Sequence, residues 1–518
     1  MPTALTIGGA FTAAAARVPG RAAIEFEGRA TTYAELEASS RRLAVGLLEG
    51  AGLRPGERVG LLMPNVPEFV VAVLAIARAG LVAVPLPGSS TPRELGHLIA
   101  DSGMRLLLTY AAEGAELAAS AANAAGADVA VLPWESGGAA SSCARDLIEG
   151  ARAGAGPAPV DERSAFFFGY TSGTTGAPKA AVVSHRARTL LALLFGLEYG
   201  CYAPGEHHLI VTPMYHGAGL TRALAPLLAG ASIELHPRFD PERAVRAFAA
   251  GRVSATFMVP TMFSSILRLA PALHELGHGR LRTVLSNATA LPEHVKRGIL
   301  ERWPSVRLFE IYGSTEAGTV ASLRPEDQLR KQRCVGLPLA LTEVELRRAD
   351  GELAGVDEIG QLYSRSPFLF SGYHGDEEAT RRVTRDGFVT AGDLCRRDDE
   401  GYLHIVGRTS DVIISGGVNV YPREVEEYIA EHPAVAEAVV LGVADPHWGE
   451  AVHAVVVAEP GATPTALELV AHCRCGLSGA KVPKSVTLVA ALPRTASGKV
   501  LRRVLAEQLS ADAPPEAG

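Results

Sequence analysis

Residues Tyr170 to Lys179 read YTSGTTGAPK, directly after the apolar run Ala165–Phe168. The stretch packs the hydroxyls of Thr171, Ser172, Thr174 and Thr175 with Gly173, Gly176 and Lys179. Glycines let backbone N–H groups turn toward a ligand, and successive N–H groups form anion-binding concavities. Hydroxyls add donors and the lysine adds a point charge. Such a loop suits nucleotide phosphates, although it is not the G-x-x-x-x-G-K-[ST] pattern.

A second run with chemistry in it is His274-Glu275-Leu276-Gly277-His278, a literal H-E-x-x-H. Two histidines four apart on a helix could bind zinc, with the glutamate as base. Gly277 and Gly279 weaken the helix that would align them, so zinc is not expected there. Cys473 and Cys475 lie two residues apart with no second pair nearby, and six scattered cysteines predict neither a zinc site nor a disulfide framework.

These residues need a scaffold, and the chain alternates helical spacing with short β-branched runs. Tyr33–Leu48 reads as a helix after Thr31 and Thr32, plausible caps. Val59–Met63 reads as a strand, Phe69 to Arg78 as a buried helix, and Val82–Val84 as the next strand. Leu106–Thr109, Val129–Val131, Leu209–Thr212, Ser232–Leu235, Ala255–Val259 and Arg282–Ser286 are further short strands. The alternation predicts an α/β protein with substantial parallel sheet. Residues 111–160, rich in Ala, Gly and Ser, read as loosely specified surface segments. Near residue 410 a polar joint, Gly407 to Asp411, precedes a compact α+β unit of about 100 residues. In it Val412–Ile414, the helix Pro422–Ala430 and the strands Ala438–Val443 and Ala451–Val457 are expected, with fraying from Ser510. The predicted organisation is a large multi-subdomain α/β body over 1–408, a hinge at 409–411, a small mobile α+β domain over 412–510, and a frayed tail over 511–518.

The composition sets bounds. At 518 residues the chain has roughly three domain-sized units. Its 49 Lys and Arg against 56 Asp and Glu give a net charge of −7, which disfavours a nucleic-acid partner relying on counterion release. The apolar stretch Phe69–Leu86 is broken by Arg78, Gly80 and Pro85, so no membrane span is expected. With no basic residue before Arg17, no secretory signal is expected either. A cytoplasmic location follows as an expectation.

In this order the motifs resemble the adenylate-forming superfamily of acyl- and aryl-CoA ligases, adenylation domains and beetle luciferases. Tyr170–Lys179 is similar to its phosphate loop. Thr32-Tyr33 with Glu35-Leu36, Arg78-Ala79-Gly80 with Val84-Pro85-Leu86, Pro213-Met214-Tyr215-His216, Val259-Pro260-Thr261, Tyr312-Gly313-Ser314-Thr315-Glu316, Ala391-Gly392-Asp393, Gly407-Arg408 through Asp411, and Pro493-Arg494-Thr495 with Gly498-Lys499 follow in the family's order. The resemblance spans nearly the whole chain.

It implies ATP, Mg2+ and coenzyme A as reaction partners of a small carboxylic acid, with a homodimer as one possible assembly. The acid and ATP would give an acyl-adenylate and pyrophosphate, and the CoA thiol would then give a thioester and AMP. By the resemblance Tyr312 stacks on adenine with Asn287 and Ala288 beside it. Thr315 bonds the α-phosphate, Glu316 holds Mg2+, and Asp393 and Arg408 hold the ribose. Lys499 promotes adenylation, and Asp411 is the pivot about which Lys499 leaves. Ser415, Gly416, Gly417 and Trp448 then flank a CoA channel. His216 sits beside the substrate carboxylate, Gly217, Ala218 and Gly219 beside it leave room for a medium-chain or aryl acid, and Gly313 also lines the acyl pocket. Other acceptors (a carrier-protein thiol or an amine), another oxyanion such as nitrite, and a non-catalytic nucleotide- or acyl-binding module are the alternatives. The chain departs from the family pattern at Ala180-Ala181 after Lys179, and at Asn287-Ala288-Thr289-Ala290, where glycine-rich segments are usual.

Overall fold

The structure is a computed structural model, described here for residues 5–135, 142–152, 159–171, 178–270, 273, 276–494 and 500–511. The chain divides into two compact units. One comprises residues 1–343 and 364–389, the other 344–363 and 390–518.

The first unit holds two sheets. The larger has nine strands, with six parallel strands in its middle: Arg307–Ser314, Thr283–Ser286, Ala255–Met258, His207–Ile210, Ser232–Leu235 and Ala22–Phe26. Antiparallel strands close its edges, Gly318–Leu323 and Leu337–Pro338 on one side and Arg29–Thr32 on the other. The smaller has six strands. Ala130–Pro133, Leu106–Thr109, Arg58–Leu62, Val82–Pro85 and Ala165–Thr171 run parallel, and Lys179–Ser184 returns antiparallel. Parallel sheets need both faces covered, and helices do this. Pro67–Arg78 is the extreme case, with every residue from Phe69 to Arg78 buried.

Arg78 shows how a charge survives in that core. Its Nη1 donates to Thr12 Oγ1 at 2.9 Å, its Nε donates to Ser40 Oγ at 3.2 Å, and its Nη2 pairs with Glu37. The guanidinium thereby ties together the helices Ile7–Arg17, Tyr33–Val45 and Pro67–Arg78. Thr32 caps the second of these through a reciprocal box with Glu35.

Residues 111–160 depart from expectation. They contain the helices Ala112–Ala124 and Ala144–Glu149 and the strand Ala130–Pro133. Alanine is a strong helix former, and Ala118, Ala121 and Ala122 are buried against the six-stranded sheet. A face of small residues packs closely without an obvious apolar stripe, and this is why the pattern hid it.

The second unit carries the antiparallel pair Asp393–Arg397 and Leu403–Arg408. It also carries a C-terminal sheet in which Gly449–Ala458 is flanked by Val435–Asp445, by Ile413–Ser415 and by the parallel strand Ser485–Leu488. The helices Pro422–Ile429 and Ala466–Gly476 bury Val425, Ile429, Leu469 and Cys473 in its core. In the C-terminal helix Arg502–Ala511, Leu505 packs with Val439, Leu441 and Val455, and residues 512–518 of the expected frayed tail lie outside the described residues. Among the described residues no helix is long and apolar enough to cross a membrane. None of the six cysteines is in a disulfide.

Replacing Arg78 with Ala leaves Glu37 facing the core with the half-exposed Arg41, 3.7 Å away, as its remaining cation, and strips Thr12 and Ser40 of their donor. The expected loss is about 3 kcal/mol, read as a lower denaturant midpoint for the first unit.

Candidate active site

The Gly/Thr-rich loop springs from a hairpin. Strands Ala165–Thr171 and Lys179–Ser184 pair antiparallel, with Thr171 opposite Lys179. Ser172, Gly173, Thr174, Thr175 and Gly176 lie outside the described residues. Lys179 Nζ lies 3.0 Å from Asp376 Oδ2 and 5.7 Å from the centre of the Tyr373 ring. The N–H of Ala379, and then Lys179, hold the Asp376 carboxyl below the ordinary range.

Tyr373 reaches the other way. Its hydroxyl donates to Glu316 Oε1 at 2.8 Å. Burial, and then the Glu316 charge, push the Tyr373 phenol well above its usual range, so it remains a donor. Glu316 is 7% exposed. The backbone repeats the link. Phe370 N–H donates to the Glu316 carbonyl at 2.8 Å, Ser371 N–H to the Val182 carbonyl at 2.7 Å, and His374 N–H to the Ala180 carbonyl at 2.9 Å. Residues 370–374 therefore lie between the loop hairpin and Glu316.

Glu316 sits in the turn joining Arg307–Ser314 to Gly318–Leu323. A Cβ on Gly313 would lie 2.1 Å from the Gly318 carbonyl oxygen, so the hairpin itself demands glycine there. A Cβ on Gly169 would lie 2.6 Å from Thr315 Cγ2. Gly169 thus lets Thr315 rest on the strand that leads to the loop. Tyr312 stands on the same hairpin, opposite Ala321.

His216 is the N-cap of the helix Gly217–Ala229, half-buried, with the Tyr215 ring 4.5 Å away. Its approach is clamped by Asn65, a residue that sequence reading passed over. Asn65 Nδ2 donates to the Thr212 carbonyl at 3.0 Å, and Met214 N–H donates to Asn65 Oδ1 at 2.8 Å. Asn65 is 3% exposed. A Cβ on Gly219 would meet the Pro213 carbonyl oxygen at 2.1 Å, so the turn into the helix also requires glycine. Ala218 is exposed. Gly217 faces Phe167 and Arg188, whose nearest atoms would lie 3.3 and 3.9 Å from a Cβ there. Arg188 Nη1 and Thr221 Oγ1 are hydrogen-bonded, and burial pushes the arginine down to about 10. A cavity of about 560 Å3 opens elsewhere in this unit, beside Arg58, Val82 and Phe168. None of His216, Gly217, Ala218 or Gly313 lines it.

Asn287 and Ala288 follow the strand Thr283–Ser286. Ala288 adopts φ +83, a conformation that glycine takes without cost and alanine does not. The departure from the family's glycine-rich segment is thus paid in backbone strain.

In the second unit Asp393 and Arg408 are paired across neighbouring strands, with Arg408 Nε donating to Asp393 Oδ1 at 2.9 Å. The structure gives the two expected ribose residues to each other. Asp411 accepts from Ser410 and lies 3.6 Å from Arg502 Nε. Gly416 and Gly417 form a two-residue hairpin turn with φ +58 and +80, the signs a type I′ turn requires. A Cβ on Gly416 would sit 2.9 Å from the Trp448 ring. Ser415 is fully buried, and Lys484 Nζ stands 4.8 Å from the centre of the half-buried Trp448 ring. Lys499 lies outside the described residues, as do His274 and Glu275. Leu276 is in a turn, Gly277 and Gly279 have positive φ, and His278 Nε2 lies 3.0 Å from Ser305 Oγ.

Tyr373, Asp376 and Asn65 were not anticipated. The signal for the first two, a tyrosine and an aspartate around Gly375, carries no spacing rule. Asn65, a lone amide between Pro64 and Pro67, was the most findable.

The AMP-binding enzyme family model matches residues 11–374, and the AMP-binding enzyme C-terminal domain model matches residues 424–499. The chain is 38% identical over 486 residues to a feruloyl-CoA synthase of Amycolatopsis sp, covering 93% of this chain and 95% of that one. It is 33% identical over 491 residues to the long-chain-fatty-acid–CoA ligase FadD13 of Mycobacterium tuberculosis, covering 93% and 94%. Among solved structures, ATP-bound MatB from Rhodopseudomonas palustris superposes with a TM-score of 0.88 at 30% identity, covering 97% of this chain and 99% of that one.

Two substitutions test the local physics. Asn65→Ala strands a buried carbonyl and a buried N–H, and stability is expected to fall by about 2 kcal/mol. Ala288→Gly relieves a left-handed alanine, and stability is expected to rise by about 0.5–1 kcal/mol. Chemical denaturation of each variant beside the parent measures both.

Proposed function

The chain belongs to the AMP-binding enzyme family, and from that premise we propose how its residues carry out ATP-dependent acid–CoA ligation. A carboxylic acid and ATP form an acyl-adenylate with release of pyrophosphate; the CoA thiol then displaces AMP and forms the thioester. The observation that carries this reading is the chain-long likeness to the feruloyl-CoA synthase, with both family models in register.

Attack at the α-phosphorus depends on positioning and on charge stabilisation as pyrophosphate leaves. Residues 171–179 and Lys179 bind the phosphates. Tyr312 stacks on adenine beside Asn287 and Ala288, Thr315 donates to the α-phosphate, and Asp393 and Arg408 take the ribose hydroxyls. His216 orients the acid's carboxylate. Glu316 fits a Mg2+ site, because its carboxylate is fixed from behind by Tyr373 and offers the hard oxygen donor this ion prefers. Magnesium bound there with the phosphates would neutralise charge on the triphosphate. Lys499 brings a cation for the first half-reaction. The domain of residues 412–510 then turns about Asp411, and the Ser415–Gly417 hairpin and Trp448 serve CoA entry.

The acid is proposed to be an aryl-substituted one. The likeness to feruloyl-CoA synthase favours this over a long alkyl chain. Gly217 and Ala218 spare volume beside His216, and the buried Arg188 by Gly217 offers a donor for an oxygen substituent. A medium-chain acid is the second reading.

AMP release with a panel of acids, with and without CoA, tests the reaction. AMP release that ignores CoA, with no acyl-CoA produced, would sink the CoA assignment, and a preference for alkyl acids would sink the aryl one. Lys499→Ala is expected to lower adenylate formation by about 10²–10³-fold while sparing thioester formation from supplied acyl-adenylate. Equal loss of both half-reactions would contradict the turning domain. Glu316→Gln is expected to lower adenylation about 10²-fold and to raise the Mg2+ concentration needed for half-maximal rate.

A further inference from the structure

A second group of polar side chains lies on the nine-stranded sheet and has no part in the chemistry above. Strands Ala22–Phe26 and Ser232–Leu235 run parallel with Glu25 opposite Glu234. Strand His207–Ile210 lies on the other side of Ser232–Leu235, with His207 opposite Ser232 and Leu209 opposite Glu234. Side chains alternate along a strand, so Glu25, Glu234 and His207 project from one face. One ligand atom from each falls within 4.8 Å of the other two.

His207 is the informative member. Its side chain is 91% buried, as its 9% exposure states, and Nε2 has no hydrogen-bond partner. That nitrogen points into the carboxylate pair, 3.6 Å from Glu234 Oε2. A buried imidazole nitrogen ordinarily finds a partner. His236 holds the other oxygen of the same carboxylate, Nε2 to Glu234 Oε1 at 3.1 Å, and is 1% exposed. A fixed carboxylate of this kind is what metal-binding carboxylates usually show. Arg252, 60% exposed, reaches over the rim to 3.2 Å from Glu25 and 3.5 Å from Glu234. It is the cation that now offsets the two carboxylates, and its exposed side chain can swing into solvent.

We propose that Glu25, His207 and Glu234 form a binding site for a divalent first-row transition-metal cation of the zinc class, with Arg252 as its displaceable stand-in. One imidazole nitrogen and two carboxylate oxygens suit such an ion better than Mg2+ or Ca2+, which favour all-oxygen sets. In a tetrahedral zinc site neighbouring ligand atoms stand about 3.3 Å apart, so His207 and Glu234 are nearly in place and Glu25 closes the rest. Water completes the coordination from the open side. The ion would pin three adjacent strands, one of which runs within six residues of His216.

The test uses the untagged full-length chain, stripped with chelator and titrated with Zn2+ by calorimetry and with Co2+ by visible absorption. One equivalent is expected to bind, with Co2+ bands of a four- or five-coordinate site and a higher Tm for the loaded chain. Glu25→Gln, at a partly exposed position that will not disturb folding, and His207→Gln are each expected to weaken binding at least about tenfold. Arg252→Ala is expected to tighten it. His278→Ala, in the H-E-x-x-H segment, is expected to leave it unchanged. Binding of less than about half an equivalent at ~100 µM metal would overturn the proposal. So would binding that survives Glu25→Gln but is lost in His278→Ala.

Discussion

Six backbone atoms make the first unit's site possible. The N–H groups of Phe370, Ser371 and His374 donate to carbonyls of Glu316, Val182 and Ala180, so one short segment is hydrogen-bonded to the turn of the nine-stranded sheet and to the last strand of the six-stranded sheet. The hairpin that carries the Gly/Thr loop and the hairpin that carries Glu316 share a hydrophobic core, and that strip adds backbone hydrogen bonds to both. With it, Tyr373 and Asp376 deliver side chains to Glu316 and to Lys179 from a common backbone. Gly169 completes the arrangement from the other side, since any side chain there would push Thr315 away.

Much of this was legible in the residues. The short β-branched runs fall on strands, the Phe69 helix is buried as its unbroken apolar character requires, and the loop motif follows the strand that the run Ala165–Phe168 implied, while the returning strand Lys179–Ser184 was not foreseen. Thr315-Glu316 and Gly416-Gly417 were singled out by the resemblance of their motifs to the family's, taken in order along the chain. Asn65, Tyr373 and Asp376 were harder to single out, because each acts on partners 57 or more residues away in sequence, Asn65 through two hydrogen bonds and the others through one hydrogen bond or ion pair each. The segment 111–160 was misread for a different reason. Its helices bury alanine, and alanine carries too little hydrophobic contrast to show which face is inside.

Cations are held in two ways, buried or in partly exposed pairs, and the first unit has both. In the first, Arg78 and Arg188 are buried and held by hydroxyls, aromatic faces and, for Arg78, a carboxylate. In the second, the named cations sit in partly exposed pairs, Arg408 with Asp393 and Arg502 with Asp411 and Glu426. Exposed pairs contribute little to stability, and they exchange partners cheaply. That suits the ribose role proposed for Asp393 and Arg408, whereas buried Arg78 serves the architecture, tying three helices together.

The ion pair between Lys179 and Asp376 has a selective consequence. The lysine at the foot of the loop is matched at 3.0 Å by a carboxylate that the helix Glu377–Val383 keeps ionised. Any anion that recruits Lys179 therefore has to outbid an internal competitor present at fixed, high effective concentration. Chloride, or a lone carboxylate in solution, offers no more than Asp376 already does. On the phosphate role proposed for Lys179, a polyphosphate outbids that carboxylate by bringing several charges at once. The pair would then be a built-in threshold, filtering the crowded anion pool by valence before any shape is read.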